Sequence, residues 1–142
     1  MVTSDHLNRF TAAQASVFDR VCAELERGRK TSHWMWFIFP QIAGLGHSEM
    51  SQRYAISGLA EAAAYLAHPI LGPRLVQCCR LVLAIDNRSA EEILGSIDAV
   101  KFRSCLTLFS HAAGADPIFK AALQKYFNGD EDKATLDRLQ PY

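Results

Sequence analysis

The chain has 142 residues, 49% of them apolar, and fifteen acidic side chains balance fifteen basic ones, so the formal net charge is zero with histidine neutral. A chain of that length fits one domain with one core, and an apolar share this high excludes a disordered segment. The charge balance leaves no overall field to draw the protein to nucleic acid or an anionic membrane, which argues against a basic DNA binder.

In chain order, the amino end Met1-Val2-Thr3-Ser4-Asp5-His6 has neither the charged nor the apolar region of a secretory signal. The longest apolar run, Trp34 to Pro40, is too short to span a bilayer. Both features read as a cytoplasmic protein with no membrane partner. From Thr11, Ala12, Ala15, Phe18, Val21, Cys22 and Leu25 recur at three- and four-residue spacing and Gly28 follows, which predicts an amphipathic helix. Ser32 is placed to cap a short helix through Phe39, stopped by Pro40, although so many bulky aromatics also fit an extended segment. Ser48 can cap a short helix containing Met50 and Tyr54. Ser57 can start the next, through the Ala-rich Leu59 to Ala67.

His68-Pro69 breaks that helix, and a core helix carrying Leu71, Leu75, Cys78, Cys79, Val82 and Ile85 follows. Ser89-Ala90-Glu91-Glu92 has capping-box spacing, and Gly95 ends the short helix it opens. Asp98 begins a helix running to Ala113 and Gly114. Asp116-Pro117 begins another through Phe127 with Gly129 as terminator, and Thr135 to Leu139 forms a final turn. Strand signals are nearly absent. The expected fold is all-α: a single compact orthogonal bundle of about seven helices over residues 1–142, with no internal repeat or linker.

Specific blocks of the sequence resemble one bacterial family. They are Ser32-His33-Trp34-Met35-Trp36-Phe37-Ile38-Phe39-Pro40-Gln41, Gly44-Leu45-Gly46 with Ser48, Tyr54-Ala55-Ile56, Ala64-Tyr65-Leu66 with His68-Pro69 and Leu71-Gly72, and Lys101 through Thr107-Leu108-Phe109. The family is the domain-of-unknown-function family numbered 1810, sometimes labelled calpastatin-like. The resemblance covers nearly the whole chain and implies a small all-helical domain with no assigned biochemical role. An inhibitor of the calpastatin kind would be disordered and repetitive, whereas this chain is apolar and non-repetitive, which argues against the label.

The candidate site centres on the tryptophan block. If Ser32 to Phe39 is helical, Lys30, Trp34, Phe37 and Gln41 share a face, and Trp34 and Trp36 beside His33 and Gln41 could stack a planar ring while cations or amides meet its polar edge. The same stripe also fits a core. Gly44-Leu45-Gly46-His47-Ser48 entering a helix could form an anion nest, or an ordinary turn with a serine cap. Lys101, Ser104, Thr107 and His111 lie on one side of their helix, with Phe102, Leu106, Phe109 and Ala113 on the other. Lys101 and Ser104 could line a second wall of a cleft, with Asp98 orienting the lysine, or form a solvated face.

Other chemistry is weakly encoded. The five histidines show no metal-ligand spacing, and no Walker motif or dinucleotide fingerprint is present, so neither a metal nor a cofactor is expected. Cys22, Cys78, Cys79 and Cys105 form no CxxC pair and read as buried thiols. Ser104 or Cys105 would serve as nucleophile only with His33 or His111 folded beside it. Two functions follow: binding of a small polar or anionic, nucleotide-like ligand in a Trp/His/Lys-lined cleft, with or without catalysis, or a non-enzymatic homodimer using an aromatic patch.

Overall fold

The computed structural model describes residues 4–139. Among them the chain is all-helical, with α1 Ser4–Ala15, α2 Phe18–Glu26, α3 Met35–Ile38, α4 Glu49–Arg53, α5 Leu59–Ala67, α6 Leu71–Leu83, α7 Ala90–Leu94, α8 Ser96–Ser110, α9 Ile118–Phe127 and α10 Lys133–Leu139. The nearest approach to a sheet is an isolated parallel bridge, in which the Ile56 amide donates to the Gln41 carbonyl and the Ala43 amide to the Ile56 carbonyl, both at 2.8 Å.

Ten helices rather than about seven arise partly because the expected single helix from Thr11 is two. Val17 leaves helical geometry at φ −123°, and α1 reaches back to Ser4, burying Leu7, Phe10 and Gln14. Buried Gln14 explains the placement: its amide donates to the Phe37 carbonyl at 2.8 Å and the Tyr65 hydroxyl at 3.2 Å, tying α1 to α3 and α5. The segment 32–39 is also shorter in helix than expected. Only Met35–Ile38 is helical, and Ser32 caps nothing, its hydroxyl being directed to Glu24.

α8 is the central helix. Phe102, Ser104, Cys105, Leu106, Thr107, Leu108 and Phe109 are all buried, so its middle is enclosed on every side rather than split into apolar and polar faces, and Ala113 lies beyond its end in an exposed position. α7, α9, α10 and α5 pack around it. The α5–α6 corner is tight: a Cβ on Gly72 would lie 2.1 Å from the Leu66 carbonyl oxygen. His68 caps α6, its Nδ1 accepting from the Ile70 and Leu71 amides. The Ser89–Glu92 capping box of α7 forms as the spacing predicts.

A tryptophan and lysine corner as candidate functional site

The site is built from a buried carboxylate outwards. Glu24 sits on the apolar stripe of α2 between Val21 and Leu25 and is 1% exposed. After α2 ends, at Gly28 with φ +78°, the chain folds back over it. Glu24 Oε1 accepts from the Thr31 amide at 2.7 Å, the Ser32 amide at 3.0 Å and the Trp34 indole at 3.0 Å, and Oε2 accepts from the Ser32 hydroxyl. Burial alone would raise the carboxyl pKa. The Ser32 hydroxyl, the two amides and the indole outweigh it and hold the group near 2.

This clamp fixes where the tryptophans go. With its only donor satisfied, Trp34 is buried and packs on Phe39 at 6.2 Å, which in turn meets Phe102 of α8 edge-on at 4.8 Å. Lys30, whose amide donates to the Ile93 carbonyl at 2.7 Å, places its ammonium 5.1 Å from the Trp34 ring centroid. Two residues on, Trp36 remains partly exposed, and the Lys101 ammonium lies 5.5 Å from its ring centroid. Asp98, one turn before Lys101 on α8, joins the halves: Oδ2 pairs with Lys30 at 2.9 Å and Oδ1 lies 3.8 Å from Lys101. Lys30 is nearly enclosed and firmly paired, whereas Lys101 is more open and held loosely.

The corner therefore gathers Lys30, Trp34, Trp36, Asp98 and Lys101, with exposed His33 immediately before Trp34 in sequence. Other expected members lie apart or are engaged. Gln41, partly exposed, contributes its carbonyl to the bridge with Ile56. The Gly44 carbonyl accepts from Arg138 at 3.1 Å, and a Cβ on Gly46 would strike Ser51. Ser48 accepts from the Ser51 amide at 3.1 Å as the cap of α4. This turn is thus engaged with α4 and α10. Ser104 is buried, and its hydroxyl donates to the Val100 carbonyl one turn back at 3.2 Å; Thr107 does the same to Arg103 at 2.8 Å. Neither hydroxyl therefore lies on a solvated face: both are buried and bond back within the helix, and Thr107 Oγ1 also accepts from the Asp132 amide at 2.9 Å.

Neither nucleophile reading gains support from geometry. Cys105 is enclosed, with burial pushing its thiol well up, and His111 instead meets Glu131 at 2.7 Å. Among the described residues no cluster of three or more histidine, cysteine or acidic side chains could hold a metal, and no helix is long and apolar enough to cross a membrane. Sequence reasoning missed Glu24, although an acid at a buried position of an amphipathic stripe was a usable signal.

Comparison with known proteins places this geometry in a family. No curated protein matches. The crystal structure of the conserved hypothetical protein Rv1873 from Mycobacterium tuberculosis is similar at a TM-score of 0.94 and 50% identity, over 96% of this chain and 97% of that one. The family model described as "Protein of unknown function (DUF1810)" matches residues 4–139. The chain belongs to that family.

Proposed function

We propose that the domain binds a small polar or anionic, nucleotide-like ligand at the corner of Trp36, Lys101 and Asp98, with His33 at its edge. One observation carries the reading. Asp98 is committed to Lys30 at 2.9 Å, so Lys101, 3.8 Å from the same carboxylate and 5.5 Å above the Trp36 ring, can turn to an anion without leaving a buried charge unpaired. A planar group would stack on Trp36 while its phosphate or carboxylate meets Lys101. The Gly44 to Ser48 turn and Ser104 are left out of this proposed site, since the Gly44 carbonyl and the Ser48 and Ser104 hydroxyls already have partners. The supporting experiment is thermal melting against nucleotides, dinucleotides, sugar phosphates and small carboxylates. A ligand at a hundred times its Kd adds about 2.7 kcal/mol, and loss of that shift in Lys101→Ala locates it.

A second reading, a homodimer, is favoured by Ile97 and Val100. They are 73% and 61% exposed, one turn apart on α8 beside Lys101. Burial of Trp34 removes half of the aromatic patch first expected, so the exposed apolar surface there is mainly aliphatic. A flat ligand panel with a midpoint that rises with protein concentration would favour this reading.

A further inference from the structure

One face of α6 carries Pro73, Val76, Gln77 and Arg80 at three- and four-residue spacing, and together with Leu66 at the end of α5 and Asp116 in the turn before α9 they line a cleft of about 570 Å³. That volume falls within the range of small-molecule sites, about 300–1,000 Å³. None of these residues belongs to the Trp36 corner. We propose that the cleft binds a small zwitterion with an apolar body, an apolar amino acid or dipeptide, its carboxylate on Arg80 and its ammonium on Asp116. The proposal is independent of the ligand reading of the corner.

Charge selects that class. Arg80 and Asp116 are the charged residues of the lining, and they are opposite in sign. They form no ion pair with each other, and among the described residues the exposed Arg80 guanidinium has neither a hydrogen-bond nor an ion-pair partner. Asp116 uses Oδ1 to accept from the Ile118 amide at 2.8 Å, and Oδ2 has no described partner. A simple anion drawn to Arg80 is repelled by Asp116, and a simple cation drawn to Asp116 is repelled by Arg80, whereas a molecule carrying both charges satisfies the two together. An amino acid or dipeptide is such a molecule at neutral pH, with its α-carboxyl ionised and its α-amino group largely protonated. A guanidinium can take that carboxylate through two parallel hydrogen bonds.

The rest of the lining suits the body of such a ligand. Leu66 and Val76 are half-buried and packed on the core, so they offer apolar surface that is already fixed in place. The Gln77 side-chain amide, which among the described residues makes only a long contact of 3.9 Å to the Cys22 sulfur, is available to a peptide bond or to a carboxylate oxygen. The α5–α6 end of the cleft is rigid, because Gly72 packs directly on the Leu66 carbonyl. A rigid corner and an Asp116 held by its bond to α9 lower the ordering cost of binding.

The test is an amide NMR titration of the whole isotope-labelled protein with leucine and leucyl-leucine at millimolar concentration, beside N-acetylleucine and leucinamide, each of which keeps one charge. Leucine or the dipeptide should shift the amides of Val76, Gln77, Arg80 and Gly114 at the cleft, and both singly charged relatives should bind at least about tenfold more weakly. Arg80→Ala and Asp116→Asn should each weaken zwitterion binding about tenfold. Arg80→Ala should also remove the discrimination against leucinamide, and Asp116→Asn that against N-acetylleucine. Arg80 is exposed, and asparagine keeps the oxygen that accepts from Ile118, so both variants should fold. Zwitterions that leave these amides unmoved, equal binding of either singly charged relative, or variants that bind as the unaltered protein does would overturn the proposal.

Discussion

The indole N–H of Trp34 donates to Glu24 Oε1 at 3.0 Å, and both residues are 1% exposed. A tryptophan can be buried only if that donor finds a partner, and a carboxylate only if its oxygens are amply bonded. Each residue therefore makes the other's burial tolerable. The same carboxylate gathers Thr31 and Ser32, so one acidic side chain determines the path of the loop that carries His33 and leads to Trp36.

Glu24 should make stability pH-dependent in a defined direction. Its folded-state pKa, near 2, lies below its ordinary 4.5, so the stabilisation is fully present above the ordinary value and is lost as pH falls toward 2. The difference corresponds to about 3 kcal/mol. Urea unfolding of the unaltered protein should show about 2 kcal/mol of that loss between neutral pH and pH 3, whereas Glu24→Gln should be weaker at pH 7 by about 2–4 kcal/mol and flatter with pH. Equal pH slopes for the two proteins would remove Glu24 from this role.

Gly72→Ala should be the most damaging glycine substitution in the α5–α6 corner. The new Cβ would sit 2.1 Å from the Leu66 carbonyl oxygen, and backbone cannot swing aside as a side chain can. The expected cost is about 3 kcal/mol. Gly58→Ala is the control: nothing lies near its Cβ and its φ of 167° is extended backbone, so the cost is at most about 0.5 kcal/mol. Matching urea midpoints for the two variants would mean that the corner relaxes.

The helices were readable where spacing and caps agree, as in α6 with Leu71, Leu75, Cys78 and Val82 buried, and α7 with its Ser89 capping box. They were misread where a polar residue serves the interior. Gln14 lies on the buried side of α1, and its hydrogen bonds to Phe37 and Tyr65 are long-range facts that no local pattern carries. Ser104 and Thr107 look like a polar face because residue type does not reveal that a hydroxyl can bond its own helix. Of the candidate corner, the residue types around Trp34 and Lys101 were legible. Their division into a buried Trp34 and a more open Trp36 depends on Glu24, ten residues before Trp34, and was not.

The two lysines of the corner should separate on mutation. Lys101→Ala removes a partly exposed cation at 3.8 Å from Asp98 and should cost no more than about 0.5 kcal/mol. Lys30→Ala removes the nearly buried partner at 2.9 Å and leaves Asp98 short of charge compensation, so about 1–3 kcal/mol should be lost. Denaturant midpoints measure both. Comparable losses would contradict the assignment of Lys30 as the structural lysine and Lys101 as the available one.

The tryptophans should divide in the same way, and fluorescence can read them singly. Trp34→Ala opens a large hole in the core, orphans part of the Glu24 carboxylate and should cost about 3–5 kcal/mol. Trp36→Ala, at a partly exposed position, should cost distinctly less. In Trp34→Phe the remaining emission belongs to Trp36. It should be red-shifted relative to the buried Trp34 emission left in Trp36→Phe, and more strongly quenched by acrylamide. Any nucleotide that raises the melting midpoint should quench Trp36 emission and leave that of Trp34 nearly unchanged. A ligand that stabilises the protein yet quenches neither tryptophan would place the binding site elsewhere in the fold.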